Sequence, residues 1–143
     1  MDVTMLLADS AQVAENKLFV LGAGWLFTGP QMAGPMAIAA LFEVPWNETN
    51  RPHSWRLELQ DEDGHPVAMP PQNEPMSIEG SIEVGRPPGH PEGTPLHVPL
   101  AFNFGPLPVE SGRRYRFVMT IDGEVKDHWA VAFNMRPAGP QTV

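Results

Sequence analysis

The chain predicts an all-β domain, an antiparallel two-sheet β-sandwich of about eight strands. Three observations predict it. Apolar residues recur at every second position, as in Tyr115, Phe117, Met119 and Ile121 against Arg114, Arg116 and Thr120, which is the period of a strand with one buried face. Seventeen prolines and thirteen glycines punctuate these runs, too many for a helical protein and well suited to strands joined by turns. No segment sustains a helical period for more than a turn or two. A closed β-barrel is the alternative arrangement of the same strands.

In chain order, Val3 to Ala8 is the first strand. Residues 9–16 form a connection in which Asp9 or Ser10 is placed to cap a short helical turn. Leu18 to Leu21 is the second strand, ended by Gly22-Ala23-Gly24 ahead of Trp25-Leu26-Phe27. No helix pattern follows those glycines, so they point to a bulge or a close backbone approach rather than a phosphate loop. Met36 to Val44 is apolar on both parities, which predicts a central strand or one whose second face meets another copy. Pro45 to Pro52 is a loop containing Trp46.

Trp55, Leu57 and Leu59 then alternate with Arg56, Glu58 and Gln60, and Asp61-Glu62-Asp63-Gly64 turns the chain into a short strand around Val67. Met69 to Pro75 is a proline-rich loop, and Met76 to Val84 is a strand with Met76, Ile78, Ile82 and Val84 inward. Gly85 to Pro95 is a long loop, stiffened by proline and exposed by its polarity. Leu96, Val98, Leu100, Phe102 and Phe104 form the next inward stripe. Pro99 lacks an N–H, which places that strand at an edge or bulges it.

The last hairpin tests its own geometry. If Asp122-Gly123 were a two-residue turn with no further irregularity, Phe117 would lie opposite His128, and Trp129 would face away from the Tyr115 and Phe117 stripe. A longer loop, or a bulge between Glu124 and Asp127, restores Trp129 and Phe133 to that face and is therefore expected. The Ser111-Gly112 turn ahead of Tyr115 resembles the corner before the penultimate strand of immunoglobulin-like sandwiches, where a Tyr hydroxyl returns to nearby backbone. An immunoglobulin-like or jelly-roll sandwich is the type expected.

At 143 residues the chain can remove roughly 70% of its unfolded surface from water in one domain, placed at 1–137 with a loose tail over 138–143. It has no cysteine, hence no disulfide, thiolate ligand or thiol nucleophile. The start, Met1-Asp2-Val3-Thr4, carries an acid where a secretory leader carries basic residues, and no apolar run approaches the ~20 residues of a membrane span. A cytoplasmic location is the expectation. A formal net charge of -8 argues against nucleic acid and anionic membrane surfaces as partners.

Ala8-Asp9, Asn16-Lys17-Leu18 and Gly22-Ala23-Gly24-Trp25 resemble the opening of an uncharacterised family of small bacterial proteins. The phrases Glu43-Val44-Pro45-Trp46, Asn50-Arg51-Pro52-His53 and Gly85-Arg86-Pro87-Pro88-Gly89 resemble its actinobacterial members. The resemblance implies the β-sandwich fold and no activity, cofactor or site.

Catalytic equipment is hard to assemble from these residues. The histidines at 53, 65, 90, 97 and 128 include no i, i+2 or i, i+4 pair, although His97 and His128 would converge if they lay on adjacent outer faces. The turn from Asp61 to Gly64 lacks the ligand spacing of a helix-loop-helix calcium site, and Glu79 and Glu83 read as the wet side of a strand. No serine lies in a nucleophile elbow. No metal or cofactor is expected. What remains is surface: Trp46, Arg51, His53, Arg86 and His90 sit in rigid connections suited to contacts, Trp46 either presenting itself or plugging the sandwich end. The expectation is a non-enzymatic sandwich acting through protein contacts and self-associating by the second face of Met36 to Val44 or by an edge strand. The alternative is a ligand-binding or weakly catalytic pocket near Trp46, His53 and His97.

Overall fold

A computed structural model describes residues 1–32 and 34–139. Residues 140–143 of the expected tail lie outside them. The described residues form β1 (Asp2–Ala8), β2 (Ser10–Ala14), β3 (Lys17–Leu21), β4 (Phe27–Thr28), β5 (Met36–Val44), β6 (His53–Asp61), β7 (Ala68–Met69), β8 (Glu74–Pro75), β9 (Ser77–Ile82), β10 (Leu96–Phe104), β11 (Arg114–Ile121) and β12 (Ala130–Met135). The only helical element among them is one 3-10 turn, Trp46–Glu48.

The strands build a smaller sheet, β1-β5-β10, and a larger one, β4-β12-β11-β6-β9, with two small hairpins, β2-β3 and β7-β8. Pairing is antiparallel throughout except where the short β4 runs parallel to β12. Both large sheets are open at their edges, so the barrel alternative does not hold. One core lies between them: Met36, Ile38 and Phe42 reach in from β5, Leu57 and Leu59 from β6, and Phe117, Met119 and Phe133 from β11 and β12. Phe104 of the smaller sheet stacks on Phe117 of the larger at 5.2 Å, which joins the two layers face to face. Pro99 lies in β10, an edge strand of its sheet, as its missing N–H requires.

The parity argument for the last hairpin holds. Ile121 bridges to Glu124 across Asp122 and Gly123, whose φ values of 51° and 77° are both left-handed, as a primed two-residue turn demands. Beyond Glu124 the register shifts: Phe117 pairs with Val131, Tyr115 with Phe133, and the Met119 N–H donates to the Trp129 carbonyl at 2.8 Å. Residues 125–128 are the bulge that turns Trp129 and Phe133 inward, and both are buried. Tyr115 closes the corner below them, its hydroxyl accepting the Glu110 N–H at 2.9 Å. Tyr115→Phe removes that acceptor without changing shape and should lower stability by about 1 kcal/mol. An unchanged urea midpoint would show that the bond contributes nothing.

The connection expected over residues 9–16 is instead strand β2, the first half of a hairpin turned by Glu15 and Asn16 at φ 51° and 57°. The reason is packing. The hairpin lies over the outer face of the smaller sheet, where Ala11 and Leu18 meet Ala8, Ala37, Ala39 and Ala101. Alanines permit that close approach, and the Asn103 side chain pins it: Oδ1 accepts the Ala11 N–H at 3.2 Å while Nδ2 donates to the Ala11 carbonyl at 2.8 Å. The second face of β5 is therefore covered by the chain itself around Ala37 and Ala39. Gly22 ends the hairpin at φ +66°, with the Asp9 carboxylate in the space a Cβ would need. The short strand expected around Val67 is β7, and it pairs with β8 inside the segment read as a proline loop.

Candidate functional site

One end of the molecule gathers the start of β1, the 45–52 loop, the 85–95 loop and the 122–128 hairpin end. Trp46 is half-buried at this end. The Arg86 guanidinium lies 4.1 Å from its ring centroid and His90 stacks on it at 6.0 Å. Arg86 also donates from Nε to Thr49 Oγ1 and from an Nη to the Trp46 carbonyl, both at 2.7 Å. The 3-10 turn is thereby fixed to the long loop, and Trp46 is neither a full plug nor a free arm. Arg51 is exposed and approaches the Glu48 carboxylate at 3.5 Å.

His53 lies beneath this surface at 2% exposure, so it supports the site from inside rather than presenting itself. Its Nδ1 lies 2.6 Å from Asp122 Oδ2, and its Nε2 lies 2.7 Å from the Glu48 carbonyl oxygen. Both neighbours are acceptors and a neutral imidazole carries one N–H, so the two bonds together require imidazolium. Burial opposes that charge, but the Asp122 hydrogen bond, the Glu48 carbonyl and the Asp122 charge outweigh it and hold the His53 pKa above its ordinary value. Burial likewise pushes Asp122 up, while bonds from His53 and the Ser54 N–H hold it below the usual carboxylate range. The pair ties the 3-10 turn to the hairpin end.

Asp2 anchors the other side. Its Oδ1 accepts from Val3 N–H at 2.9 Å, lies 2.7 Å from His128 Nε2, and accepts from Trp129 Nε1 at 2.6 Å. Partial burial raises the Asp2 pKa, and the Trp129 and His128 bonds more than reverse that, so the carboxyl is held below its ordinary value. Between Asp2 and Trp46 opens a cavity of about 600 Å³ whose walls include Glu43, Pro45, Pro95 and Lys126. It is a broad depression open to solvent rather than an enclosed pocket.

Of the residues expected to form the surface, Trp46, Arg86 and His90 come together, Arg51 lies beside them, and His53 lies below. His97 pairs across strands with Glu43 and does not line the cavity, and neither does His53. The group with metal-ligand spacing among the described residues is Asp61, Asp63 and His65, with donor atoms within 4.8 Å. Asp61 already caps that turn by accepting the Asp63 and His65 N–H groups, and its carboxylate is shared with Arg113 at 4.0 Å. Sequence reasoning passed over Asp2, Glu48 and Asp122. Asp122 alone carried a signal, as the acid of an Asp-Gly turn whose carboxylate must point somewhere.

Residues 3–133 match the family described as Family of unknown function (DUF6941). No curated protein and no solved structure matches the chain.

Proposed function

We propose, for a chain that belongs to this family of unknown function, a non-enzymatic cytoplasmic module that engages a protein partner through its loop end. The observation that carries the reading is Trp46, half-exposed beside a cavity of about 600 Å³ and held in place by Arg86. Rigid aromatic groups next to a concavity are the usual anchors of protein contacts, because little side-chain freedom is lost on binding. Affinity purification with wild type and Trp46→Ala should retain a protein that only the wild type holds, at matched melting temperature. Equal retention by both overturns the reading.

We further infer an immunoglobulin-like sandwich. The Tyr115 corner supports it, as does the order β1-β5-β10 against β12-β11-β6-β9, which follows the A-B-E and G-F-C-C′ pattern of variable-type domains. In that pattern the 45–52 and 122–128 segments occupy two of the recognition-loop positions.

Self-association is proposed on the opposite side of the fold. Phe19 and Leu21 of β3 and Leu26 and Phe27 near β4 are 53%, 71%, 60% and 59% exposed, and Leu6 and Leu26 line one shallow depression. Sedimentation should give a mass above 15.7 kDa that falls to the monomer in Leu21→Glu. A wild-type monomer at high concentration would remove this part.

A further inference from the structure

One buried ring, that of His53, joins two parts of the loop end. Its Nδ1 donates to the Asp122 carboxylate at 2.6 Å and its Nε2 to the Glu48 carbonyl at 2.7 Å, and the two bonds coexist only while both nitrogens are protonated. When one proton leaves, a lone pair must face one of the acceptors. Facing the Asp122 anion costs more than facing the dipole of a carbonyl, so the remaining hydrogen stays on Nδ1 and the Glu48 carbonyl loses its donor. Two unpaired acceptors 2.7 Å apart repel, and the carbonyl turns away.

That carbonyl heads a chain of contacts that ends on Trp46. The peptide bearing it leads into the buried Thr49, whose hydroxyl donates to the Trp46 carbonyl at 2.8 Å and accepts from Arg86 Nε at 2.7 Å. Arg86 in turn covers the Trp46 ring at 4.1 Å. Beyond Thr49 the backbone is pinned again, because the Asn50 N–H donates to the Val84 carbonyl at 2.8 Å. Movement of the Glu48 carbonyl is therefore taken up at Thr49, and the hold of Arg86 on the tryptophan follows it.

We propose that His53 is a proton switch for the Trp46 surface: the doubly protonated ring locks the 3-10 turn under Arg86, and loss of the Nε2 proton releases it. The charges facing the ring are Asp122 from the hairpin end and Arg51 from its own connection. The Glu48 carboxylate is turned to the Met1 ammonium at 3.1 Å and to Arg51 at 3.5 Å, and the cross-strand neighbour on β9 is the uncharged Ile82. Burial opposes the charged ring, but the Asp122 bond, the Glu48 carbonyl and the Asp122 charge outweigh it, so the proton is held above the ordinary value of about 6.5. The locked form is complete below that value and is lost as pH rises through the folded one, by at most about tenfold per pH unit. The switch stands on the contacts of the turn, while its consequence for binding rests on the reading of Trp46 as a contact surface.

The test is an NMR titration of the full 15N-labelled chain across neutral pH. Both His53 nitrogens should be protonated at the acid end, and the Nδ1–H tautomer should remain at the basic end. The Glu48, Thr49 and Trp46 amides and the Arg86 Nε–H should shift with the midpoint of the ring, the last losing its protection from exchange. Asp122→Asn should remove the response. The new side chain can accept the Ser54 N–H as Asp122 does and donate to Nδ1, so a neutral ring keeps its Nε2–H on Glu48 and the turn stays locked throughout. His90→Gln and His128→Gln, which remove the other imidazoles of this end, should leave the titration of Thr49 unchanged.

A wild-type ring left as the Nε2–H tautomer, or a His53 midpoint that Thr49 and Arg86 do not share, overturns the switch, and both are read without any variant. A response that survives in Asp122→Asn, or vanishes in His90→Gln or His128→Gln, overturns it equally. Trp46-dependent retention of a partner protein should fall from pH 6 to pH 8 in wild type and stay level in Asp122→Asn. Retention that stays level in wild type overturns the link to binding. Equal retention by wild type and Trp46→Ala removes the contact surface and leaves the switch to be decided by the titration.

Discussion

Phe117→Ala should lower stability by about 4 kcal/mol, and the melting temperature by roughly 15 °C. The side chain is fully buried on β11, stacked on Phe104 of the opposite sheet at 5.2 Å and on Phe133 of the neighbouring strand at 6.2 Å. Removing it therefore opens a cavity at the junction of both layers, where neither sheet can collapse without losing its own pairing. Phe19→Ala removes the same ring from a site 53% exposed and should cost less than about 0.5 kcal/mol in the monomer. Urea unfolding of the two variants decides the matter, and equal losses would mean that the sheets do not share one core.

The second large effect is in the pH dependence. His53 has a raised pKa in the folded state, so its contribution to stability is fully present below its unfolded value of about 6.5 and fades as pH rises through the folded value. Asp122 has a lowered pKa, so its contribution is present above about 3.9 and is lost as pH falls through its own folded value. The pair should therefore stabilise most between roughly pH 4 and 6.5. Breaking it by His53→Ala should cost on the order of 2 kcal/mol at pH 5.5, since a charge-assisted bond at a buried ring is lost. The variant should also flatten the decline of stability above pH 6.5. A wild-type profile that rises from pH 6 to 8, or a decline that survives in the variant, would mean that His53 is neutral in the fold.

The strands were legible where burial imposes alternation. β5, β6, β10, β11 and β12 read directly, and the parity conflict at Trp129 by itself demands a longer loop or a bulge after Glu124, which the structure places at 125–128. β2 was not legible, because Ser-Ala-Gln-Val-Ala buries little and its Asp9-Ser10 start looks like a helix cap. Its strand character comes from the alanine floor beneath it and from Asn103, 92 residues away. The two-residue strands β4, β7 and β8 are too short for any period to register. At the loop end, Trp46 and Arg86 were singled out by the stiffness of their segments. The long-range contacts that organise them join residues 37 to 127 positions apart, His53 to Asp122 and Asp2 to Trp129 among them, and no local pattern encodes such distances.

Strand β12 sits between β4 and β11, bonded in parallel to residues more than a hundred positions earlier. During synthesis the larger sheet is thus missing an interior member until residues 130–135 leave the ribosome, and Phe117 and Tyr115 wait without Phe133 beside them. Contacts of such long sequence separation slow folding and leave apolar strands open to neighbours meanwhile. A chain stopped before Ala130 should accumulate as an aggregate rather than as a smaller folded domain.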